Sequence, residues 1–304
     1  MATLETWGAE QLSDTVRLLN RVSPFDHFPT THAREAVFGD PDYNPDLLLR
    51  MIDGDKVAAV AAGVVRKRLR RPEDPPVGFV KLLAVAPEYQ RQHVGTALLD
   101  ALEQRFRDRG ANAVLVFGDS PAYLRPGVDF RLTPLVCFLQ KRGYASRRHA
   151  VNMDVDLARA NLETAEDERR LSGLGITIRR LETGDAAAFE AYMLENWSWN
   201  WLREACSTLK RDLITTHIAL RDGKIVGFAS ANASGPGQFG PMGTHPDLRR
   251  HGVGGVVLKR CLADLRDQDY PIGEIQWVGP IGFYARQVGA TLTRCFFQFE
   301  RVLE

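Results

Sequence analysis

The chain has 304 residues, 44% of them hydrophobic and 25% charged, with a net charge of +1. This is ordinary for a globular protein and long enough for two domains of about 150 residues, and the near-neutral balance gives no sign of a nucleic-acid or anionic-membrane partner. No apolar run approaches the ~18 residues of a membrane span, and the first residues lack a basic start followed by an apolar stretch, so a cytoplasmic location is expected.

Residues 3–7 read as a short strand, and residues 9–19 as a helix with Leu12, Val16 and Leu19 on one face. A loop rich in Pro, Phe and His follows (23–31), then a short helix to Phe38 and turn chemistry over 40–45. Residues 47–52 and 57–65 read as strands joined by Asp53-Gly54-Asp55, a hairpin signal. The basic cluster 66–71, like Arg147-Arg148-His149, reads as a solvated strand end, with a local anion or partner contact as the alternative. A loop (72–76), a strand (77–85), a helix ending near Gly110, a strand (113–117), a long loop, a helix (134–141) and a strand (150–155) complete the first half.

Residues 156–172 are rich in charge and alanine, with helical character. The expected division is therefore a domain over 1–155, a linker over 156–173 and a second domain over 174–304. The second half repeats the order: a strand (176–181), helices (185–194 and 201–213), a hairpin (217–220 and 225–233) around Asp222-Gly223-Lys224, and a strand (238–244). A helix (255–265), a strand (274–278), a short helix (283–288) and a terminal strand (292–302) follow. This is an α/β chain of mixed strands, not a dinucleotide fold, because no Gly-x-Gly-x-x-Gly follows a first strand. Cys137, Cys206, Cys261 and Cys295 form no Cys-x-x-Cys pair, which argues against a metal site and leaves buried free thiols as the expectation.

One segment occurs twice. Ala86-Pro87-Glu88-Tyr89-Gln90-Arg91-Gln92-His93-Val94-Gly95 is matched by His245-Pro246-Asp247-Leu248-Arg249-Arg250-His251-Gly252-Val253-Gly254. Each copy follows an apolar strand and opens a helix, at Thr96 in one and Gly255 in the other. A basic, glycine-bearing turn at a helix N-terminus offers free N–H groups and the positive end of the helix dipole to a phosphate. The offset is about half the chain, so the repeat marks two related domains.

On these residues both halves resemble the GNAT superfamily of N-acetyltransferases. Its signature, Gln/Arg-x-x-Gly-x-Gly/Ala between the fourth strand and third helix, is met in full by Arg249 to Gly254. The resemblance implies two tandem domains, each a mixed, mostly antiparallel sheet flanked by helices. It implies acetyl-CoA as cofactor, its pyrophosphate on Arg249, Arg250, His251, Gly252, Val253, Gly254 and Gly255, and its pantetheine arm along Met242, Gly243 and Thr244, opposite a strand over 275–278. Tyr284, in Phe283-Tyr284-Ala285-Arg286-Gln287-Val288-Gly289, fits the family's general acid, with a half-buried anchoring tyrosine as the alternative. No general base is evident. His245 is expected to face away from the acceptor, and a water chain serves as well.

The first half departs from the signature at His93, which replaces the middle glycine, and aligns Phe138 with Tyr284. Its weaker cofactor set is Leu83, Val85, Gln90, Arg91, Gln92, Val94, Gly95 and Thr96, with Tyr123 in the long loop as a replacement acid. The expectation is a degenerate first copy and a working second one. Acceptor recognition falls to Trp197, Trp199, Trp201 and Trp277, rings suited to an apolar, aromatic or cationic acceptor or, alternatively, to packing between the halves. The leading function is acetyl transfer to the amine of a small molecule. Alternatives are a non-catalytic acyl-CoA sensor, an active N-terminal half, protein-lysine acetylation, and an acceptor like that of the tandem mycothiol synthases. A monomer is favoured over a homodimer, since a tandem chain already resembles a fused dimer.

Overall fold

The computed structural model describes residues 2–67, 74–120 and 123–303, without the side chain of Arg147. Residues 68–71 of the expected basic cluster, the start of the 72–76 loop and residues 121–122 lie outside them. The chain divides into two compact units. The first ends at Ala150 and takes in the residues from Cys295 onward, and the second is Val151–Arg294.

The first unit contains β1 (Thr3–Thr6), α1 (Leu12–Val22), α2 (Thr30–Phe38), β2 (Leu48–Asp53), β3 (Lys56–Lys67), β4 (Pro76–Val85), α3 (Val94–Arg107), β5 (Ala113–Val116), β6 (Val128–Asp129), α4 (Thr133–Lys141) and the start of β7 (Ala145–Asp156). β1 to β4 pair antiparallel in order, and β5 joins β4 in parallel. β3, built of Ala and Val, is buried over seven consecutive residues, the mark of a strand covered on both faces. On one face Leu98, Leu99, Leu102 and Phe106 of α3 pack on Val80, Val114 and Val116. On the other, Leu12, Val16 and Leu19 of α1 pack on Val60, Leu82 and Ala84. Gly63 and Gly78 make room for the Phe106 ring, which a Cβ at either position would overlap.

The second unit runs from the end of β7 through α5 (Ala165–Ser172), β8 (Ile176–Arg180), α6 (Ala186–Asn196), α7 (Trp199–Ser207), β9 (Thr216–Arg221), β10 (Lys224–Ala231), β11 (Gln238–Thr244), α8 (Val253–Arg266), β12 (Ile272–Ile275), α9 (Ile281–Val288) and the start of β13 (Thr291–Val302). β8 to β11 pair antiparallel and β12 joins β11 in parallel, so the topology of the first unit is repeated. α8, α9 and α5 cover one face through Val256, Leu258, Leu262, Tyr284, Val288 and Leu171. α6 and α7 cover the other through Phe189, Met193 and Leu202 against Ile218 and Phe228.

Both units match the expected architecture, but the division differs from the one read in sequence. The far end of β7 belongs to the second unit, where Met153 and Val155 lie opposite Ile275 and Gly273 of β12. The far end of β13 returns to the first unit, where Phe299 and Arg301 lie opposite Val116 and Val114 of β5. Each unit is thus closed by a strand from the other half of the sequence. The expected linker is no free connector either: it forms α5, whose Leu171 is fully buried in the core of the second unit.

Local chemistry explains smaller differences. α7 starts at Trp199, two residues before the expected position, because Ser198 caps it by accepting from the Trp201 amide at 3.2 Å. β12 ends at Ile275 because Trp277 takes a left-handed φ of 49° and its amide donates to Asn152. Of the four cysteines, all free, only Cys261 is buried; Cys206 and Cys295 are half-buried and Cys137 is exposed. No described helix is long and apolar enough to cross a membrane.

Candidate active site

The repeated turn has one backbone form in both units. Arg250 (φ 72°) and Gly252 (φ 93°) are left-handed in the second, and Arg91 (φ 60°) and His93 (φ 62°) in the first. α8 makes its first helical bond from the Val256 amide to the Gly252 carbonyl at 3.2 Å, leaving the amides of Val253, Gly254 and Gly255 without an intrahelical acceptor. Arg249, Arg250 and His251 are exposed, and neither arginine side chain has a hydrogen-bond or ion-pair partner among the described residues. α3 begins likewise, with the Ala97 amide on the His93 carbonyl at 2.9 Å, leaving Val94, Gly95 and Thr96. There the polar side chains fold back: Gln90 donates to the Val85 carbonyl at 3.0 Å and Gln92 to the Glu88 carbonyl at 2.7 Å.

Just before the turn, β11 and β12 part. Their pairing covers Gln238–Glu274 and Phe239–Ile275 only, while Met242, Gly243 and Thr244 pair with β10 on the opposite edge. β12 is drawn away by the bonds from Trp277 and Val278 to Asn152 and Val151. One strand edge of β11 is left without a ladder partner along the segment where the resemblance sets the pantetheine arm. Tyr284 stands at the parting, its ring 6.1 Å from that of Phe239 and edge-on to it. The ring is buried, the hydroxyl has no hydrogen-bond partner among the described residues, and burial alone pushes its pKa up to about 12. Phe283 fills the space beside Gly254, with its Cζ 3.5 Å from where a Cβ would stand.

On the other face, Trp197 lies flat on Gly243, where a Cβ would overlap its indole. It stacks on Trp201 at 5.4 Å, and both rings pack edge-on against Phe228. The indole nitrogen of Trp197 and the hydroxyl of buried Tyr192 lie close without reaching hydrogen-bond geometry, and neither has another partner among the described residues. Trp199 turns instead to Arg203, 5.3 Å from its ring, and Trp277 is 40% exposed beyond the end of β12. Two of the four expected tryptophans therefore come together beside the parted strand.

The first unit has the same parting, after Val80–Val116, with Phe117 left-handed at φ 64°. Its surroundings differ. Leu83 and Val85 pack toward α3, and the tip of Phe138 lies 3.8 Å from a Cβ at Gly95, where that of Phe283 lies 3.5 Å from one at Gly254. The rings of Phe138 and Phe283 thus stand beside corresponding glycines, and neither Phe138 nor the fully buried Leu139 next to it carries a hydroxyl. The long loop is folded inward. Asp119, Tyr123, Leu124 and Arg125 are all buried; Arg125 donates to Ser23 at 2.7 Å, pairs with Asp26 and lies over Phe28 and Phe117. Tyr123, the alternative acid, accepts at its carbonyl from buried His32.

Sequence reasoning missed a buried charge cluster beside this parting. Lys81 and Arg66 both reach Asp40 and Asp119, with Arg66 at 2.7 and 2.8 Å from them. Burial raises the Asp119 carboxyl to about 6 against the pull of Lys81 and Arg66. Arg66 is therefore an interior ion-pair member and not the solvated strand end expected. A lysine inside the apolar run 77–85 was the available signal, since a buried ammonium requires a partner. Among the described residues no group of His, Cys, Asp and Glu could hold a metal ion.

Comparison with known proteins agrees with this geometry. The model of the acetyltransferase (GNAT) family matches residues 13–122 and 178–289. No curated protein matches the chain. Among solved structures, the GCN5-related glucosamine N-acetyltransferase region of a fungal multi-domain GH3 β-N-acetylglucosaminidase is 16% identical over 99% of this chain, with a TM-score of 0.80; this chain spans 38% of that protein. A GCN5-related N-acetyltransferase from Sphaerobacter thermophilus is 17% identical over 99% of this chain and 95% of its own (TM-score 0.69). A tandem GNAT protein from the clavulanic acid biosynthesis pathway is 14% identical over 99% and 98% (TM-score 0.68). With the family model matched once in each half, over most of the chain, this protein belongs to the GNAT family of acetyltransferases as a tandem, two-domain member.

Proposed function

We propose that the second unit is an N-acetyltransferase that moves the acetyl group of acetyl-CoA to the amine of a small-molecule acceptor. The residues fit that cofactor. Three free amides, two unpaired arginines and a glycine with no Cβ converge on the turn, as an approaching pyrophosphate requires. The unpartnered edge of β11 suits the amides of a pantetheine arm. Acetyl-CoA supplies the activated acetyl thioester.

The observation that carries the reading is Tyr284, placed where β11 and β12 part with its hydroxyl free and protonated. It holds at its oxygen the proton that a departing thiolate needs. Trp197 and Trp201 line the acceptor side, and the unsatisfied Trp197 N–H and Tyr192 O–H suit an acceptor that carries an oxygen near its amine.

The first unit is read as a degenerate copy. Neither Phe138 nor Leu139 has a proton to give, and the inward loop occupies the acceptor side. Because its turn keeps the left-handed form, coenzyme A binding without turnover is the second reading for that unit. Tyr284→Phe tests the main reading. Turnover with a panel of small amines should fall about 100-fold or more, with acetyl-CoA affinity nearly unchanged. Undiminished turnover would remove Tyr284 from the chemistry.

A further inference from the structure

The segment between the halves brings a cation to the cofactor turn. α5 is held against α8 on the same face: Arg260 Nε and Nη2 donate to Glu168 at 2.8 and 2.5 Å, and Lys259 Nζ donates to the Glu163 carbonyl at 3.1 Å. With Leu171 fully buried beneath it, the helix is fixed at two points and the segment that leads into it at a third. From this base Arg170 Nη1 donates to the His251 carbonyl at 2.8 Å, and Nη2 stands where a side chain on Gly252 would be. Asp167 accepts from Nη2 at 2.9 Å. Of the five guanidinium N–H groups, those two bonds leave three without a partner among the described residues, on a side chain 48% exposed.

We propose that Arg170 is a phosphate ligand of the bound cofactor, presented to the turn by α5. This rests on reading the second unit as a coenzyme A site. Arg249 and Arg250 supply charge from within the turn, whereas Arg170 approaches from over Gly252, in the space that the missing Cβ leaves to its guanidinium. A planar guanidinium with spare N–H groups matches the fork geometry of a phosphate. The helix between the halves is in this account part of the cofactor site.

The test separates binding from holding the turn in shape. Arg170→Gln keeps a donor for the His251 carbonyl but loses the charge, and Arg170→Ala loses both. Affinities for coenzyme A and for pantetheine, which shares the arm but has no phosphate, are measured by calorimetry on the full chain. Both variants should bind coenzyme A about tenfold more weakly, with the gap narrowing as salt is raised, and should bind pantetheine as the unaltered protein does. Unaltered coenzyme A affinity in Arg170→Gln would show that Arg170 only shapes the turn. Equal weakening for both ligands would mean that the site has collapsed, and would also overturn the proposal. If the unaltered protein binds no coenzyme A, the reading of the second unit fails and Arg170 with it; that outcome is distinct from a change confined to the variants.

Discussion

His93 and Gly252 hold the same left-handed backbone position in the two turns, but only one is glycine. A side chain with a Cβ is strained there by roughly 1–2 kcal/mol, so His93→Gly should stabilise the first unit by about 1 kcal/mol in urea unfolding; a destabilised variant would mean that the imidazole makes up for the strain. For Tyr284 the pKa is pushed up by burial alone, to about 12. The proton needed by a general acid is therefore present throughout the neutral range and is lost only as pH rises toward that value. The kcat profile should show no basic-limb fall from this group below pH about 10. The Arg-x-x-Gly turn was legible in sequence because its chemistry is local to six residues. Arg170 was not: its contact with His251 spans 81 residues, and nothing in a run of mixed charges says which arginine turns inward. Lys81 was half legible, demanding a partner without identifying Asp40 or Asp119.

Among elements, the hairpins and the strand–turn–helix units were readable because alternation and 3.6-residue periodicity follow from which face is buried. The exchange of closing strands was not. The strands 145–156 and 291–302 are both mixed apolar segments after a short helix and a glycine, and pattern alone cannot say which neighbour each meets. The end of β12 was misplaced for the same reason: Gln276-Trp277-Val278 reads as strand, and only its bonds to 151–152 show that it bends away. The exchange makes a prediction at this scale. Phe299, 1% exposed, packs with Val114, Val116 and Leu102 of the first unit. Phe299→Ala should cost about 3–5 kcal/mol, and amide hydrogen exchange should quicken in β4 and β5, far earlier in the chain, while β10 and β11 stay protected. Loss of protection confined to 151–294 would contradict the strand assignment.

For the molecule as a whole, one topology occurs twice with two outcomes. Both units part their parallel strands and open a helix at a left-handed turn. The second leaves the parting lined by a free tyrosine hydroxyl and a tryptophan pair. The first has a buried loop and four paired charges beside its parting. The central claim is that the working cofactor site lies in the second unit, and calorimetric titration with acetyl-CoA of the unaltered protein and of Gly254→Glu tests it most directly. The added side chain starts between Met242, Thr244 and Phe283, so it sets a carboxylate in the path of the cofactor beside the start of α8. The account predicts tight binding of acetyl-CoA by the unaltered protein and loss of that site in the variant. Equal stoichiometry and affinity in the two would contradict it and move the cofactor site to the turn at His93.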